Sequence, residues 1–316
     1  MISFFKHISR VTLIAVYVLI LVGGIVRATG SGMGCPDWPK CYGRWMPPTS
    51  ESQLPANYQA HYKALGIHDV TFNALKTWTE YINRLIGVVI GLLIITTFVA
   101  SFGYVKTKPS VTALSFLGVA LVVLQGWLGA KVVASNLHPM VVTLHMGLAL
   151  VLVAVLITAR QLALPPKPEA IDRLDFLRLL ALISLVFTFG QLLLGTQVRE
   201  AIDGIAKVMG ESERSAWVSH LGNRFDLHRS FSWIIVLVNG LLAYHIRQQA
   251  VGTGRLVRLA KAILLVIGAE LALGMSLAYL GFPAALQPLH LLLGTLLFGL
   301  VFTVVLTLIQ LKKANT

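Results

Sequence analysis

Residues with the chemistry of metal ligands lie inside apolar stretches of this chain. Residues 80–84, Glu-Tyr-Ile-Asn-Arg, are echoed by residues 225–229, Phe-Asp-Leu-His-Arg, and each segment opens a long apolar run. Two runs further on, a histidine lies inside another such run, His145 in the first half and His290 in the second. A polar side chain inside a membrane helix is costly and by default marks a functional site. The matched spacing predicts two related cofactor pockets.

The composition indicates an integral membrane protein. Of the 316 residues 56% are hydrophobic and only 12% are charged, and the mean hydropathy is +0.77. A soluble domain cannot hide that much apolar surface. A helix needs about 20 residues to span a bilayer, and eight apolar runs meet this length: 11–29, 81–104, 111–134, 139–161, 177–197, 228–247, 259–281 and 287–310. The predicted fold class is therefore all-α, with eight transmembrane helices.

The formal net charge of +13 does not indicate nucleic-acid binding, because the basic residues are concentrated in the loops on one side of the predicted membrane helices. With the N-terminus inside, the cytoplasmic segments carry most of the lysines and arginines and few acids, as the positive-inside rule requires. This distribution predicts a multi-pass protein of the cell inner (plasma) membrane with both termini in the cytoplasm. The long loops 30–79 and 198–227 then lie outside.

The two halves read as a tandem repeat. Residues 21–27 resemble 193–199, and residues 125–129 resemble 270–274, with glycines that allow close helix packing. The predicted organisation is a four-helix bundle over 1–163, a cytoplasmic linker over 164–174 and a second four-helix bundle over 175–316. Sites in such bundles are built between facing helices.

The depth of the histidines predicts haem ligation. His228 and His290 start two facing helices at one level, which is the geometry of a bis-histidine haem. The neighbouring Arg229, and Arg84 in the first half, would pair with carboxylates of the macrocycle. In the first half His145 faces Asn83 instead of a second histidine. The alternative for each histidine is a hydrogen bond between helices.

Glu80 is the residue with the clearest catalytic chemistry. It lies three residues before Asn83 and shares its helix face. A carboxylate over a buried cofactor is a candidate acid, base or cation stabiliser, while an acid at a helix start can also be a simple dipole partner. The second half has Phe225 at this place. The first pocket is therefore predicted to be reactive and the second to carry electrons.

Cys35 and Cys41 lie in the first outer loop. Thiols pair in oxidising compartments, and two cysteines without a nearby histidine pair make a poor zinc site. A disulfide is favoured over a metal site. Whether such a disulfide would be structural or would exchange electrons stays open.

Taken together, these motifs resemble those of the haem A synthases, which oxidise a methyl group of haem O to the formyl group of haem A for cytochrome oxidase. The resemblance rests on Gly-Gly-x-Val-Arg-x-Thr-Gly-Ser-Gly at 23–32, Cys-Pro-Asp-Trp-Pro-x-Cys at 35–41, Glu-Tyr-x-x-Arg at 80–84, and the three histidines His145, His228 and His290. It implies two pseudo-symmetric four-helix bundles.

The resemblance also implies roles for individual residues. His228 and His290 would ligate a permanent haem b, His145 would face the substrate haem, Glu80 would be the catalytic carboxylate, and Cys35 and Cys41 would form a disulfide. The reaction would convert the C8 methyl of haem O to a formyl group by two successive hydroxylations. The implied partners are haem O, a haem O synthase, an electron acceptor and membrane lipid, with a homo-oligomer left open.

Two departures from the family pattern matter. Many members have histidine where this chain has Asn83, so the substrate haem would be five-coordinate through His145 or take water or a loop histidine, His61 or His68, as its sixth ligand. The loop 198–227 has no cysteine pair. Two other functions stay open: a bis-haem cytochrome that oxidises quinol, which would need two histidine pairs, and a non-catalytic haem-binding assembly factor, for which Glu80 would be dispensable.

Overall fold

The computed structural model describes residues 1–64, 71–164, 171–249 and 254–315, and this part of the chain contains α-helices and no β-strand. The α-helices are α1 (Ile2–Ala28), α2 (Tyr58–Ala64), α3 (Ala74–Ser101), α4 (Pro109–Ala134), α5 (Pro139–Ala163), α6 (Leu174–Met209), α7 (Asn223–Gln249), α8 (Arg255–Tyr279) and α9 (Leu286–Asn315). Every predicted apolar run falls on one of the long helices, and three of them, 11–29, 81–104 and 259–281, extend one to three residues beyond the end of the helix. The all-α prediction is confirmed.

Seven of the described helices are long and apolar enough to cross a membrane. They are α1, α3, α4, α5, α6, α7 and α9, so the protein is a multi-pass membrane protein. Helix α8 has 25 residues but is not among the seven. The eighth span therefore stays a prediction.

The chain divides into two compact units, Met1–Leu156 and Ile157–Thr316. The first contains α1 to α4 and most of α5, and the second contains α6 to α9. The predicted linker 164–174 falls largely on residues 165–170, which lie outside the described residues. His68 lies outside them as well.

In the first unit, helix α1 meets α3 through a polar contact inside an apolar surface. The hydroxyls of Thr12 and Thr97 are 2.8 Å apart, and Thr12 is fully buried. Helix α4 approaches α5 at Gly118, where an added Cβ would lie 3.4 Å from Cδ2 of Leu156. Each pairing joins a helix that carries a predicted site residue, α3 or α5, to a neighbouring helix.

In the second unit, a cluster of fully buried aliphatic side chains joins all four long helices. Leu177, Leu242, Ile263 and Val301 are representative, one from each helix. A separate apolar cluster closes the end of the unit near the histidines. It contains Val198, Ile202, Trp217, Leu221, Leu277 and Phe282, with Phe225 and Leu286 packed against it. We call these six buried residues the apolar cap.

Two helix boundaries differ from the prediction. Helix α3 begins at Ala74, where the side chain of Asn73 accepts a hydrogen bond from the N–H of Lys76 at 3.0 Å. Glu80 is therefore one and a half turns inside the helix, and the interpretation of Glu80 as a dipole partner at the helix start was wrong. Helix α6 continues to Met209 and ends at Gly210, whose φ of 78° favours glycine. The predicted loop 198–227 thus begins as helix.

Candidate active site

A disulfide ties the segment that follows α1. Cys35 and Cys41 are bonded, with 4.8 Å between their Cα atoms. The predicted disulfide is confirmed, and we call residues 34–44 the disulfide loop. The loop lies directly on α3, since a Cβ at Gly34 would sit 2.4 Å from the carbonyl oxygen of Lys76, a position that only glycine can occupy. The Thr77 hydroxyl donates to the carbonyl of Gly34 at 2.8 Å.

The carboxylate of Asp37 organises the interior of the disulfide loop. It accepts hydrogen bonds from the N–H groups of Tyr42 at 2.6 Å and Gly43 at 2.8 Å, and from the Tyr62 hydroxyl at 3.3 Å. The Tyr42 ring packs edge-on against Tyr58, Tyr62 and a third aromatic ring. Burial raises the pKa of Tyr42 to about 12. Burial, and then the charge of Asp37, also raises the pKa of Tyr62 above its ordinary value.

Arg84 clamps the disulfide loop to α3. One terminal nitrogen donates to the carbonyls of Asp37 at 2.7 Å and Lys40 at 3.0 Å, and the other donates to the carbonyl of Cys35 at 3.0 Å and to the carboxylate of Glu80. All four terminal N–H bonds of the guanidinium are thereby used. Arg84 was expected beside a carboxylate of a macrocycle, but the structure gives it the disulfide loop and Glu80 as partners.

Glu80 is buried beneath this loop. Only 4% of the residue is exposed. Its Oε2 accepts a hydrogen bond of 2.8 Å from the N–H of Cys35, and its Oε1 pairs with Arg84. A buried charge needs such a partner. The two contacts fix the carboxylate in one orientation, on the helix face that also carries Asn83, whose Oδ1 is buried and has no hydrogen-bond partner among the described residues.

His145 rests on helix α4. The side-chain amide of Gln125 donates to the backbone carbonyl of His145 at 3.1 Å. One turn further along α4, a Cβ at Gly129 would lie 3.6 Å from Cε1 of the imidazole. The Nδ1 atom is buried and finds no hydrogen-bond partner within the described ranges. Gln125 thus holds the backbone of His145 and Gly129 lies at the edge of its ring, while the buried Nδ1 has no protein partner among the described residues.

His228 and His290 face each other in the second unit. Their ring centroids are 6.4 Å apart, and their planes are nearly perpendicular at 85°. Bonds of about 2 Å from one metal ion to two opposed imidazole nitrogens, with each ring centre about 1 Å beyond its nitrogen, separate the ring centres by about 6 Å. The observed separation therefore fits one iron between the rings. His228 and His290 would hold such an iron, and a porphyrin would supply its remaining ligands.

Both histidines of this pair lie on the same kind of support as His145. Gln191 of α6 donates to the backbone carbonyl of His228 at 3.1 Å, and a Cβ at Gly195 would lie 3.3 Å from the Cε1 of that ring. In α8, Glu270 contacts Nδ1 of His290, and a Cβ at Gly274 would lie 3.6 Å from its Cε1. We call this Gln/Glu-x-x-x-Gly arrangement the histidine cradle.

The sequence predicted the glycines of the histidine cradle but not the contacts of its polar residues. The likeness of 125–129 to 270–274 predicted close helix packing at the glycines, but not that the polar residue four positions earlier contacts a histidine. Gln191 was not identified. The recurrence of Gln or Glu four residues before a helical glycine, each time one helix before a membrane histidine, is the pattern that would have revealed it.

The fourth corresponding position lacks this support. Residues 21–27 of α1 match 193–199 of α6, so Gly23 corresponds to Gly195 and Leu19 to Gln191. A Cβ at Gly23 would meet nothing within 4 Å. Leucine stands here where the other three helices carry an amide or a carboxylate, and the residue on the next helix is Asn83.

Arg229 and His61 are the remaining described residues that the sequence suggested as candidates for the haem sites. Arg229 donates to Asp226 at 3.0 Å and lies over the Phe225 ring at 5.4 Å, and about half of its side chain is exposed. It is thus available at the edge of the second unit's histidine site. His61 lies in α2, edge-on to Tyr62.

Known proteins resemble this chain over much of its length. The family model described as cytochrome oxidase assembly protein matches residues 6–302. The chain is 34% identical to haem A synthase of Shewanella oneidensis over 59% of this chain and 54% of that protein, and 30% identical to haem A synthase of Alkalihalophilus pseudofirmus over 50% and 46%. Those matches span about half the length of these relatives.

A further relative is matched over most of both chains. The haem A synthase of Bradyrhizobium sp. (strain BTAi1) is 30% identical over 90% of this chain and 85% of that protein. The histidine pair, the buried carboxylate under a disulfide loop and these matches lead to one assignment. The chain belongs to the cytochrome oxidase assembly protein family, COX15-CtaA.

Proposed function

We propose that the protein is a haem A synthase, which oxidises the C8 methyl of haem O to a formyl group by two successive hydroxylations. The relatives named haem A synthase support this activity. The observation that carries the proposal is that the two units differ in their buried polar residues. One has a single histidine and a buried carboxylate, and the other has a pair of facing histidines.

The second unit would hold the resident cofactor, haem b, between His228 and His290. The 6.4 Å between ring centroids is the support for this ligation. Haem b would supply one-electron oxidation and reduction. Gly195 and Gly274 leave room for the imidazole edges, and Arg229 offers a cation to a carboxylate of the macrocycle at the edge of the unit.

The first unit would bind haem O as substrate, with its iron on His145. Asn83 stands where a second ligand would be, and asparagine is a poor iron ligand. Leu19 replaces the cradle residue on the same side. Both features favour ligation from one side only, so that the other face of the substrate stays open.

Glu80 would act on the substrate as the catalytic carboxylate. Removing electrons from the methyl group builds positive charge at that carbon, and a carboxylate held in a fixed position stabilises such charge without reorganising. The N–H of Cys35 and the guanidinium of Arg84 hold Glu80 in this orientation. Water would add to this carbon as the source of the oxygen atom, Glu80 would accept the proton that is released, and the electrons would pass to the acceptor. Arg84 and the disulfide loop are then positioning elements.

The membrane arrangement is part of the proposal. Eight spans as two pseudo-symmetric four-helix bundles would place both termini in the cytoplasm of a plasma-membrane protein, with the haem sites toward the outer face. The distribution of basic residues supports this orientation, and the Cys35–Cys41 disulfide agrees with an oxidising outer side. A haem O synthase would deliver the substrate, and an electron acceptor would complete the cycle.

The test is the haem content of membranes. Haems are extracted from a host that makes haem O, with and without this protein, and separated by chromatography with mass detection. Haem A, or its alcohol precursor, should appear only with the protein. Haem O left unchanged beside bound haem b would contradict the proposal and favour an electron-transfer cytochrome or a non-catalytic assembly factor.

A further inference from the structure

The histidine cradles of the second unit are chemically unequal. His228 has a neutral amide, Gln191, in its cradle, whereas His290 has a carboxylate, Glu270. A carboxamide can donate a hydrogen bond to the histidine's backbone carbonyl, and Gln191 does so at 3.1 Å. A carboxylate has no hydrogen to donate, so Glu270 must interact with the histidine in another way.

The carboxylate of Glu270 contacts the imidazole ring of His290 rather than its backbone. Its Oε2 contacts Nδ1 of His290. Its Oε1 is buried and has no hydrogen-bond partner in the described part of the chain. A Cβ at Gly294, one turn after His290 on α9, would lie 3.3 Å from that oxygen, so glycine makes room for the carboxylate.

The amide cradles leave the corresponding ring nitrogens alone. Nδ1 of all three histidines, His145, His228 and His290, is buried without a hydrogen bond among the described residues, but only Nδ1 of His290 is in ion-pair contact with a carboxylate. The Oε1 atoms of Gln191 and Gln125 are likewise buried without a partner there. Of the three membrane histidines, His290 is therefore the one whose ring nitrogen meets a negative charge.

We infer that Glu270 is a positioning residue that lowers the reduction potential of the haem held by His228 and His290. A carboxylate at Nδ1 keeps the proton on that nitrogen and leaves Nε2 as the ligand atom. It also increases the electron density of the imidazole, which makes it a stronger donor to iron. The oxidised iron carries one more positive charge than the reduced iron, so the oxidised state gains more from this donation.

This inference rests on the proposed haem b site. The inference adds a direction of electron flow to the proposed site, because a lower reduction potential favours electron transfer from the reduced haem b to the next acceptor. It also assigns a purpose to the difference between Glu270 and Gln191, which the ligand pair itself does not explain.

The experiment compares reduction potentials in the full-length protein purified from a host that makes haem b. Glu270→Gln keeps the size of the side chain and removes its charge. We expect haem b to be retained with a low-spin ferric spectrum, and its midpoint potential to rise. Gln191→Glu is the matched reverse change under the opposite ligand, and we expect the midpoint potential to fall. Gln125→Glu makes the same change in the first unit and should leave the haem b potential where it was.

Unchanged potentials in both Glu270→Gln and Gln191→Glu, with haem b bound, would overturn the inference and leave the haem b site intact. If Glu270→Gln does not accumulate, the direction of the Gln191→Glu shift decides alone. A wild-type protein without haem b, or haem b retained in both His228→Ala and His290→Ala, would instead overturn the haem b site and the inference with it.

Discussion

The carboxylate of Glu80 and the backbone of Cys35 are joined by a hydrogen bond of 2.8 Å. The bond links a buried residue in the second turn of α3 to one half of the disulfide. Through it, the geometry of the disulfide loop determines where the carboxylate points. Glu80 thus has a structural and a proposed chemical role, and a useful experiment must separate them.

Glu80→Gln separates these two roles. Glutamine can still accept from the N–H of Cys35, but it has no charge to stabilise a cationic carbon or to take its proton. We expect haem A formation to fall by at least about 100-fold, as for loss of a general base, while bound haem b is unchanged. Product is measured by chromatography, and retention of the disulfide by thiol labelling. Undiminished haem A would remove Glu80 from the mechanism.

Arg84→Gln tests the clamp. The change leaves the buried Glu80 charge without its cation, which typically destabilises by about 3 kcal/mol or more. We expect a lower thermal midpoint and faster reduction of the Cys35–Cys41 disulfide by added thiol. Arg224→Gln is the matched control, because Arg224 is half-exposed and its pair with Glu200, at 4.0 Å, contributes little. Equal losses in the two variants would show that Arg84 does not clamp the loop.

The histidines should divide cleanly between the two haems. His228→Ala and His290→Ala each remove one of the two proposed haem ligands, and we expect purified protein with little or no low-spin haem b. His145→Ala should keep haem b and lose haem O binding. The measurement is the absorption spectrum after growth with and without a source of haem O. Loss of haem b in His145→Ala would contradict this division.

The missing fourth ligand can be supplied. In the double variant Asn83→His with Leu19→Gln, both the ligand and its cradle residue match those of His228 and Gln191. We expect bound haem O to become six-coordinate and low-spin. Leu19→Gln alone is the control and should leave the spectrum as in wild type. A double variant whose haem O stays five-coordinate would show that Asn83 does not face the iron.

Alkaline pH should loosen the disulfide loop. Burial favours the neutral phenol of Tyr42, whose pKa is about 12 in the folded protein against 10.0 ordinarily. The resulting stability is fully present below pH 10 and is lost as the pH rises toward 12. The readout is tyrosinate absorbance, as the difference between wild type and Tyr42→Phe. A difference curve centred near pH 10 would show that Tyr42 is not buried.

The helices were predictable because apolar runs of bilayer length leave the backbone few alternatives. The ends of the helices were less predictable. Helix α6 continues past Val198 through a segment rich in polar residues, because the apolar residues between them, such as Ile202, lie in one cluster with Trp217 and Leu221, which come later in the chain. No local pattern announces that contact.

Within the site, residue types were more predictable than partners. The histidines stood out because imidazole is rare in a membrane, and the disulfide was favoured because the cysteines lie in an outer loop without a nearby histidine pair. The partners of Arg84 include backbone carbonyl oxygens of the disulfide loop. Every residue has a backbone carbonyl, so the sequence does not indicate which of them will bind an arginine. The cradle residue Gln191 was missed for a similar reason, since its meaning depends on which helix packs beside it.

The apolar cap has one further consequence. Helix α6, with 36 residues, is about 54 Å long, well beyond the roughly 30 Å of the hydrocarbon layer, and its last turns build the cap over the end of the second unit. Phe225 and Leu286, about one turn before His228 and His290, pack against it. Such a cover keeps the local dielectric constant low and the surroundings rigid, so little solvent would reorganise when the proposed haem b gains or loses an electron. The first unit is covered instead by the charges and amide dipoles of Asp37 and Arg84, an environment that suits a reaction in which charge develops on carbon.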